Sequence, residues 1–229
     1  MQTEQFDIVP TYFVAVGLPD LCRLPLALGL VSSGDALLRE NTLLLGAGMS
    51  PMALHGLALG AVLKMRRASF GSGGTEDCVE GSALGMALDL GLSGAFGPVR
   101  VGLVLEEALG RLNWDSSVRG QYSESVPRTL SGGLEFQTGA FAFASDLEIG
   151  LHDERADKFA AGIEYSLHSI LQIRGGLKQR LVAEEARFLT MGFGLGHKLT
   201  GGQRLQLDMA YLFHDLGNSL RVSAGYTFP

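Results

Sequence analysis

Charge is scarce in this chain. Charged residues make up 18% of its 229 positions against 46% hydrophobic ones, where soluble domains carry roughly 25% charge. The balance is acidic, at net charge -6 and pI 5.4, and no basic run offsets it, which excludes an electrostatic nucleic-acid binder. The two cysteines, Cys22 and Cys78, have no metal or redox spacing; a disulfide and two separate thiols both remain open. The histidines His55, His152, His168, His197 and His214 share no ligand spacing with each other or with a cysteine, so no metal or other cofactor is expected. Neither a Gly-x-Ser-x-Gly elbow nor a phosphate loop is present, since Gly71-Ser72-Gly73-Gly74 lacks the Lys-Ser/Thr that follows in such loops. Enzyme activity therefore has no support. Met1–Pro10 has no basic stretch leading into an apolar one, as an export signal would.

Glycine, by contrast, is abundant at 32 residues, about twice the usual share of roughly 7%. It recurs in no three-residue repeat, and mean hydropathy is +0.21. The dominant pattern is alternation with period two. Leu205, Leu207, Met209, Tyr211 and Phe213 alternate with Gln206, Asp208, Ala210 and Leu212; Leu220, Val222, Ala224, Tyr226 and Phe228 alternate with Arg221, Ser223, Gly225 and Thr227. That is the strand period, not the helical one. Segments of the same kind recur at 158–166, 170–178, 187–198, 140–152 and 130–137, then at 57–66, 84–92 and 99–106, with weaker ones at 11–17, 23–33 and 41–50. Together they predict about thirteen strands, most near the 9–11 residues a tilted strand needs to cross a bilayer. A helical span over Thr42–Met65 is the rival reading; Pro51 and the alternation that follows it oppose that.

The two faces differ in kind. One is Leu and Val with Phe and Tyr towards the ends; the other is Gly, Ala and Ser with one or two charges per strand. A soluble sandwich would carry Lys, Glu and Thr on its second face. Small residues and sparse charges suit a confined lumen, and the apolar face suits lipid. The expectation is an all-β antiparallel transmembrane β-barrel of about 12–14 strands, a single domain over residues 1–229. An odd count is unusual for a bacterial barrel. With the missing export signal, it leads us to expect a chain that lacks one or more N-terminal strands and a plug.

The candidate functional set is the charge network of the small-residue face: Lys64, Asp89, Arg100, Glu135, Glu164, Arg174, Asp208 and Arg221, with Glu106, Glu148 and Lys178 on the same face. Charges withdrawn from water must be partnered, so mutual pairing that fixes register is one reading and a solute path the other. Trp114 is either an interface anchor or a packed loop aromatic. The longest loops are expected at Phe70–Glu80 and Leu112–Arg128.

Several motifs then fall in a familiar order. Ala87-Leu88-Asp89-Leu90-Gly91 precedes Gly102-Leu103-Val104-Leu105 and Trp114-Asp115, followed by a loop ending in Val126-Pro127. Gly162-Ile163-Glu164-Tyr165 leads to Arg174-Gly175-Gly176, and the last strand is Arg221–Phe228. This resembles the PorV/PorQ-type outer-membrane barrels, relatives of the FadL long-chain fatty-acid transporter superfamily, over residues 40–229. The chain departs from that pattern in ending on Pro229 and in its reduced N-terminal region. The resemblance implies the bacterial outer membrane and a lipid bilayer as partner. It also implies either passage of small hydrophobic molecules or a role in type IX protein secretion, with cargo or secretion-system proteins bound through the two long loops. The alternative is a soluble β-rich binding domain without transport activity.

Overall fold

The structure is a computed structural model that describes residues 10–21, 24–35, 37–51, 56–71, 79–152, 157–168, 170–181, 187–199, 201–213 and 217–228. Among the described residues, fourteen strands form one antiparallel sheet. They are β1 Thr11–Leu21, β2 Leu24–Gly34, β3 Leu38–Met49, β4 Leu57–Phe70, β5 Gly81–Phe96, β6 Val99–Ser116 and β7 Gly120–Ser125, then β8 Thr129–Thr138, β9 Phe141–Gly150, β10 Lys158–Ser166, β11 Leu171–Arg180, β12 Arg187–Lys198, β13 Arg204–Phe213 and β14 Ser219–Thr227. Neighbours in sequence are neighbours in the sheet, except that β6 is followed by β8, and β7 pairs with β6 alone. β1 and β14 stand at the ends of this order and do not pair with each other among the described residues. The region of the rival helix is the β3–β4 pair, in register from Leu38↔Phe70 to Met49↔Leu59.

Contacts group the chain into two compact units: Met1–Gly94, Gly102–Ser131 and Gly150–Arg155 in the first, and Ala95–Val101, Gly132–Ile149 and Ala156–Pro229 in the second. In both, the ladder keeps the two faces apart. In the first unit Leu59↔Leu92, Leu63↔Leu88 and Met65↔Met86 lie on one face, with Gly60↔Gly91 and Lys64↔Ala87 on the other. In the second, Met191↔Tyr211, Phe193↔Met209 and Leu195↔Leu207 share a face opposite Gly192↔Ala210 and Gly194↔Asp208. Directly opposed residues of an antiparallel pair point to the same side, so correct register carries the face from strand to strand.

Exposure is inverted relative to a soluble domain. Leu84 is 65% exposed and Met191 66%, while the buried hydrophobic residues among those described are Ala68, Ala83 and Ala87. Leaving a Leu-sized side chain in water forgoes about 1.5–3 kcal/mol, and soluble monomers rarely show apolar patches beyond a few hundred Å². Aromatic pairs lie near strand ends on this apolar face: Phe141 with Tyr165 and Tyr211 with Phe213, each with centroids 4.7 Å apart. Tyr and Phe at those levels match the interfacial girdles of barrels.

The expected loop at Leu112–Arg128 is corrected. β6 runs on to Ser116 and turns back as β7, with Trp114 opposite Tyr122 and Arg111 opposite Ser125. The alternation that marks β6 is broken at Glu106-Glu107, and beyond it the polar Asn113, Asp115 and the sequence of β7 (GQYSES) carry no apolar period. Backbone pairing between β6 and β7 makes the hairpin where side-chain pattern is silent. Of the other expected loop, residues 72–78 lie outside the described residues, as do Cys22 and Cys78.

Candidate functional site

Three strands of the first unit bring their charges together on the small-residue face. Lys64 on β4 reaches the Asp89 carboxylate on β5 at 2.6 Å and Glu107 on β6 at 3.0 Å. Arg66, two residues along β4 and so on the same face, donates through both terminal nitrogens to the two oxygens of Glu107. The Glu107 backbone N–H in turn donates to Asp89 Oδ1 at 2.9 Å. Two cations and two carboxylates thus balance, with the Glu107 side chain 3% exposed. A bidentate guanidinium–carboxylate pair has good geometry as well as charge, and its partners satisfy one another as burial requires.

Glu107 reaches this cluster through an unusual backbone. Its φ of 55° is the one positive value at a non-glycine residue among the described residues, a conformation that costs an L-residue roughly 1–2 kcal/mol. Its neighbours at odd positions, Leu103 and Leu109, are exposed at 46% and 65% with the apolar face. Strict alternation would place Glu107 among them; the left-handed turn brings it to the small-residue face instead. The buried acid at this point is therefore Glu107, where periodicity named Glu106. Arg66 and Glu107 are the two members absent from the candidate set drawn from sequence. The doubled Glu that interrupts the period was the available signal.

Beside the cluster lies an open, hollow-like cavity of about 370 Å³ lined by Ala27, Gly46, Gly48, Gly60, Gly91 and Asp89, among others. Among the described residues, Asp89 is its only charged lining residue. Both Asp89 oxygens are engaged, Oδ1 by the Glu107 N–H and Oδ2 by Lys64. The cavity is consequently apolar and small-residue-walled, with its one charge neutralised.

The second unit holds a comparable centre. Arg174 on β11 donates from Nε to Glu164 of β10 at 2.7 Å and from Nη1 to Asp208 of β13 at 2.5 Å. Gln172 and Gln206 add bonds to Arg174 and Asp208. β12 passes between β11 and β13, and there it carries Gly192, Gly194 and Gly196. A Cβ at Gly194 would come within 2.6 Å of Asp208 Oδ1 and 2.8 Å of Gln172 Oε1. The glycine leaves the space through which Arg174 spans an intervening strand.

Of the remaining candidates, Arg100 pairs with Glu135 at 3.0 Å, though at 62% and 35% exposure. Glu148 pairs with Lys158. Arg221 and Lys178 make no ion pair among the described residues; the register places Arg221 opposite Ala210 and Lys178 opposite Ala160, both on the small-residue face. Trp114 is packed between Phe70 and Tyr122, with centroids at 5.7 and 6.3 Å, and its buried Nε1 has no hydrogen-bond partner among the described residues.

No family model matches the chain, and no curated protein does either. Solved structures do resemble it. A Pseudomonas aeruginosa FadL homologue superposes with a TM-score of 0.56 at 12% identity, over 95% of this chain and 75% of that one. The CymD monoaromatic hydrocarbon channel gives 0.54 at 14% identity, over 94% and 85%. At these identities the likeness is one of fold: the chain is an all-β antiparallel sheet of outer-membrane β-barrel type.

Proposed function

We propose that the chain is an outer-membrane β-barrel of channel type that takes up small hydrophobic molecules. The observation that carries this is the pairing of two faces on the same strands. In each unit one is an exposed surface of Leu, Met, Phe and Tyr, and the other a Gly/Ala wall whose ion clusters pair internally. The first face requires an apolar solvent, since only there does its exposure cost nothing. Among the described residues the second leaves an apolar cavity with no uncompensated charge, which favours uncharged ligands of modest size. The fold neighbours support the reading, one of them being a monoaromatic hydrocarbon channel. A role as a partner in protein secretion rests on the sequence resemblance alone.

Three measurements, on the detergent-refolded and the membrane-inserted chain, test the proposal. The folded form is expected to show heat-modifiable gel mobility and to resist extraction from membranes by carbonate. A fluorescent uncharged naphthylamine probe is expected to bind it and be displaced by monoaromatic hydrocarbons. A chain that stays in aqueous solution without detergent, with a single gel mobility, would sink the membrane reading. A heat-modifiable chain that ignores the probe would sink the ligand class.

A further inference from the structure

The cluster of Lys64, Arg66, Asp89 and Glu107 does more than hold register. We infer that it is a charge-balanced seal, the specificity element that keeps ions out of the neighbouring cavity and leaves that cavity to uncharged solutes. This rests on the barrel reading above and adds to it a named determinant.

Among the described residues the cavity's wall is Gly, Ala and other apolar residues, and its single charged group is Asp89. An unpartnered carboxylate there would concentrate cations; this one has Lys64 on Oδ2 and the Glu107 N–H on Oδ1. Lys64 alone would balance Asp89. Arg66 would then add an unmatched positive charge to the cluster beside the cavity, and Glu107 matches it. For Glu107 to do so, the backbone adopts φ 55° in the middle of a strand. Register alone gives no reason for that conformation, because a Leu in the regular β conformation would face lipid at this position, as Leu103 and Leu109 do. The chain holds a strained residue where its side chain brings the local charge to zero, and observed strain of this kind is a pointer to function.

Charge balance makes a prediction about sign. Lys64→Gln leaves the cluster one negative charge in excess, and Glu107→Gln leaves one positive charge in excess. Glu107→Gln combined with Arg66→Gln restores zero. A uniformly structural cluster would loosen in the same manner whichever member is removed.

The test uses the refolded full chain in planar bilayers under a potassium chloride gradient. The wild type is expected to show little conductance and no preference between potassium and chloride. Lys64→Gln should admit cations and Glu107→Gln anions, each changing the permeability ratio by about fivefold or more, the effect of one unit charge at about 4 Å in a hydrated path. The double variant should return the ratio to that of the wild type. If both single variants shift the ratio the same way, or neither shifts it, while each keeps heat-modifiable mobility, the seal is overturned and the barrel reading stands. Should Glu107→Gln fail to fold, Arg66→Gln must shift selectivity towards cations, and its failure to do so overturns the inference equally. Loss of membrane insertion by the wild type itself would instead sink the barrel reading.

Discussion

Gly194→Ala is a small change with a large expected effect. The added Cβ would lie 2.6 Å from Asp208 Oδ1 and 2.8 Å from Gln172 Oε1, with Arg174 Nη2 at 3.2 Å. Ordinary contacts to a Cβ begin near 3.4 Å, so the Asp208 carboxylate must retreat by most of an ångström. At 2.5 Å from Arg174 it has no slack, and the shift breaks or badly distorts that ion pair. Overpacking costs about 1–3 kcal/mol, and loosening a charge pair that is about one-third exposed adds a fraction of the 3–5 kcal/mol found for buried ones. The sum is about 2–4 kcal/mol, and urea-induced unfolding in detergent should show it as a lower midpoint with unchanged slope. Gly175→Ala is the matched control: it lies one residue from Arg174, and a Cβ there meets nothing within 4 Å. That variant should be neutral or slightly more stable, by up to about 1 kcal/mol. Equal midpoints for Gly194→Ala and the wild type would refute the claim that glycine is required to make room for Arg174.

The two other predictions concern charge. Arg174→Gln leaves Glu164 and Asp208 without their shared cation and should lower stability by about 1–3 kcal/mol after allowance for partial exposure, whereas Arg100→Gln, at an exposed pair, should cost under about 1 kcal/mol; comparable losses in the two would mean that burial does not set the value of these pairs. In the β2–β3 turn, the backbone N–H groups of Leu38 and Leu37 donate to the Asp35 carboxylate and hold its pKa below the ordinary 3.8. A depressed folded pKa contributes stability that is present above the unfolded value and lost as pH falls through the folded one. The wild-type advantage over Asp35→Asn should therefore be flat from neutral pH down to about 4 and shrink only below it, and a carboxyl titration by NMR with its midpoint above 3.8 would contradict the geometry.

Much of this architecture was legible from period two. The expected segments at 158–166 and 187–198 coincide with β10 and β12, because alternation of large apolar with small residues is itself the condition for facing lipid on one side. The pattern was silent where pairing, not side-chain burial, makes the strand: β7 is polar throughout, and its partner β6 crosses a break at Glu107. The charge set divides along the same line. Sequence could place Lys64, Asp89, Glu164, Arg174 and Asp208 on one face, because face is a matter of parity. Which of them meet depends on stagger between strands, and on Arg174 reaching across a strand whose glycine leaves the way open.

The sequence by itself determined that this chain is a β-sheet with an apolar face and a small-residue face, since a strict two-residue period admits no other regular structure. Only the tertiary structure decided that Glu107 and Arg66 complete a neutral cluster beside an apolar cavity. That outcome turns on one left-handed residue, a local backbone conformation that no periodicity encodes.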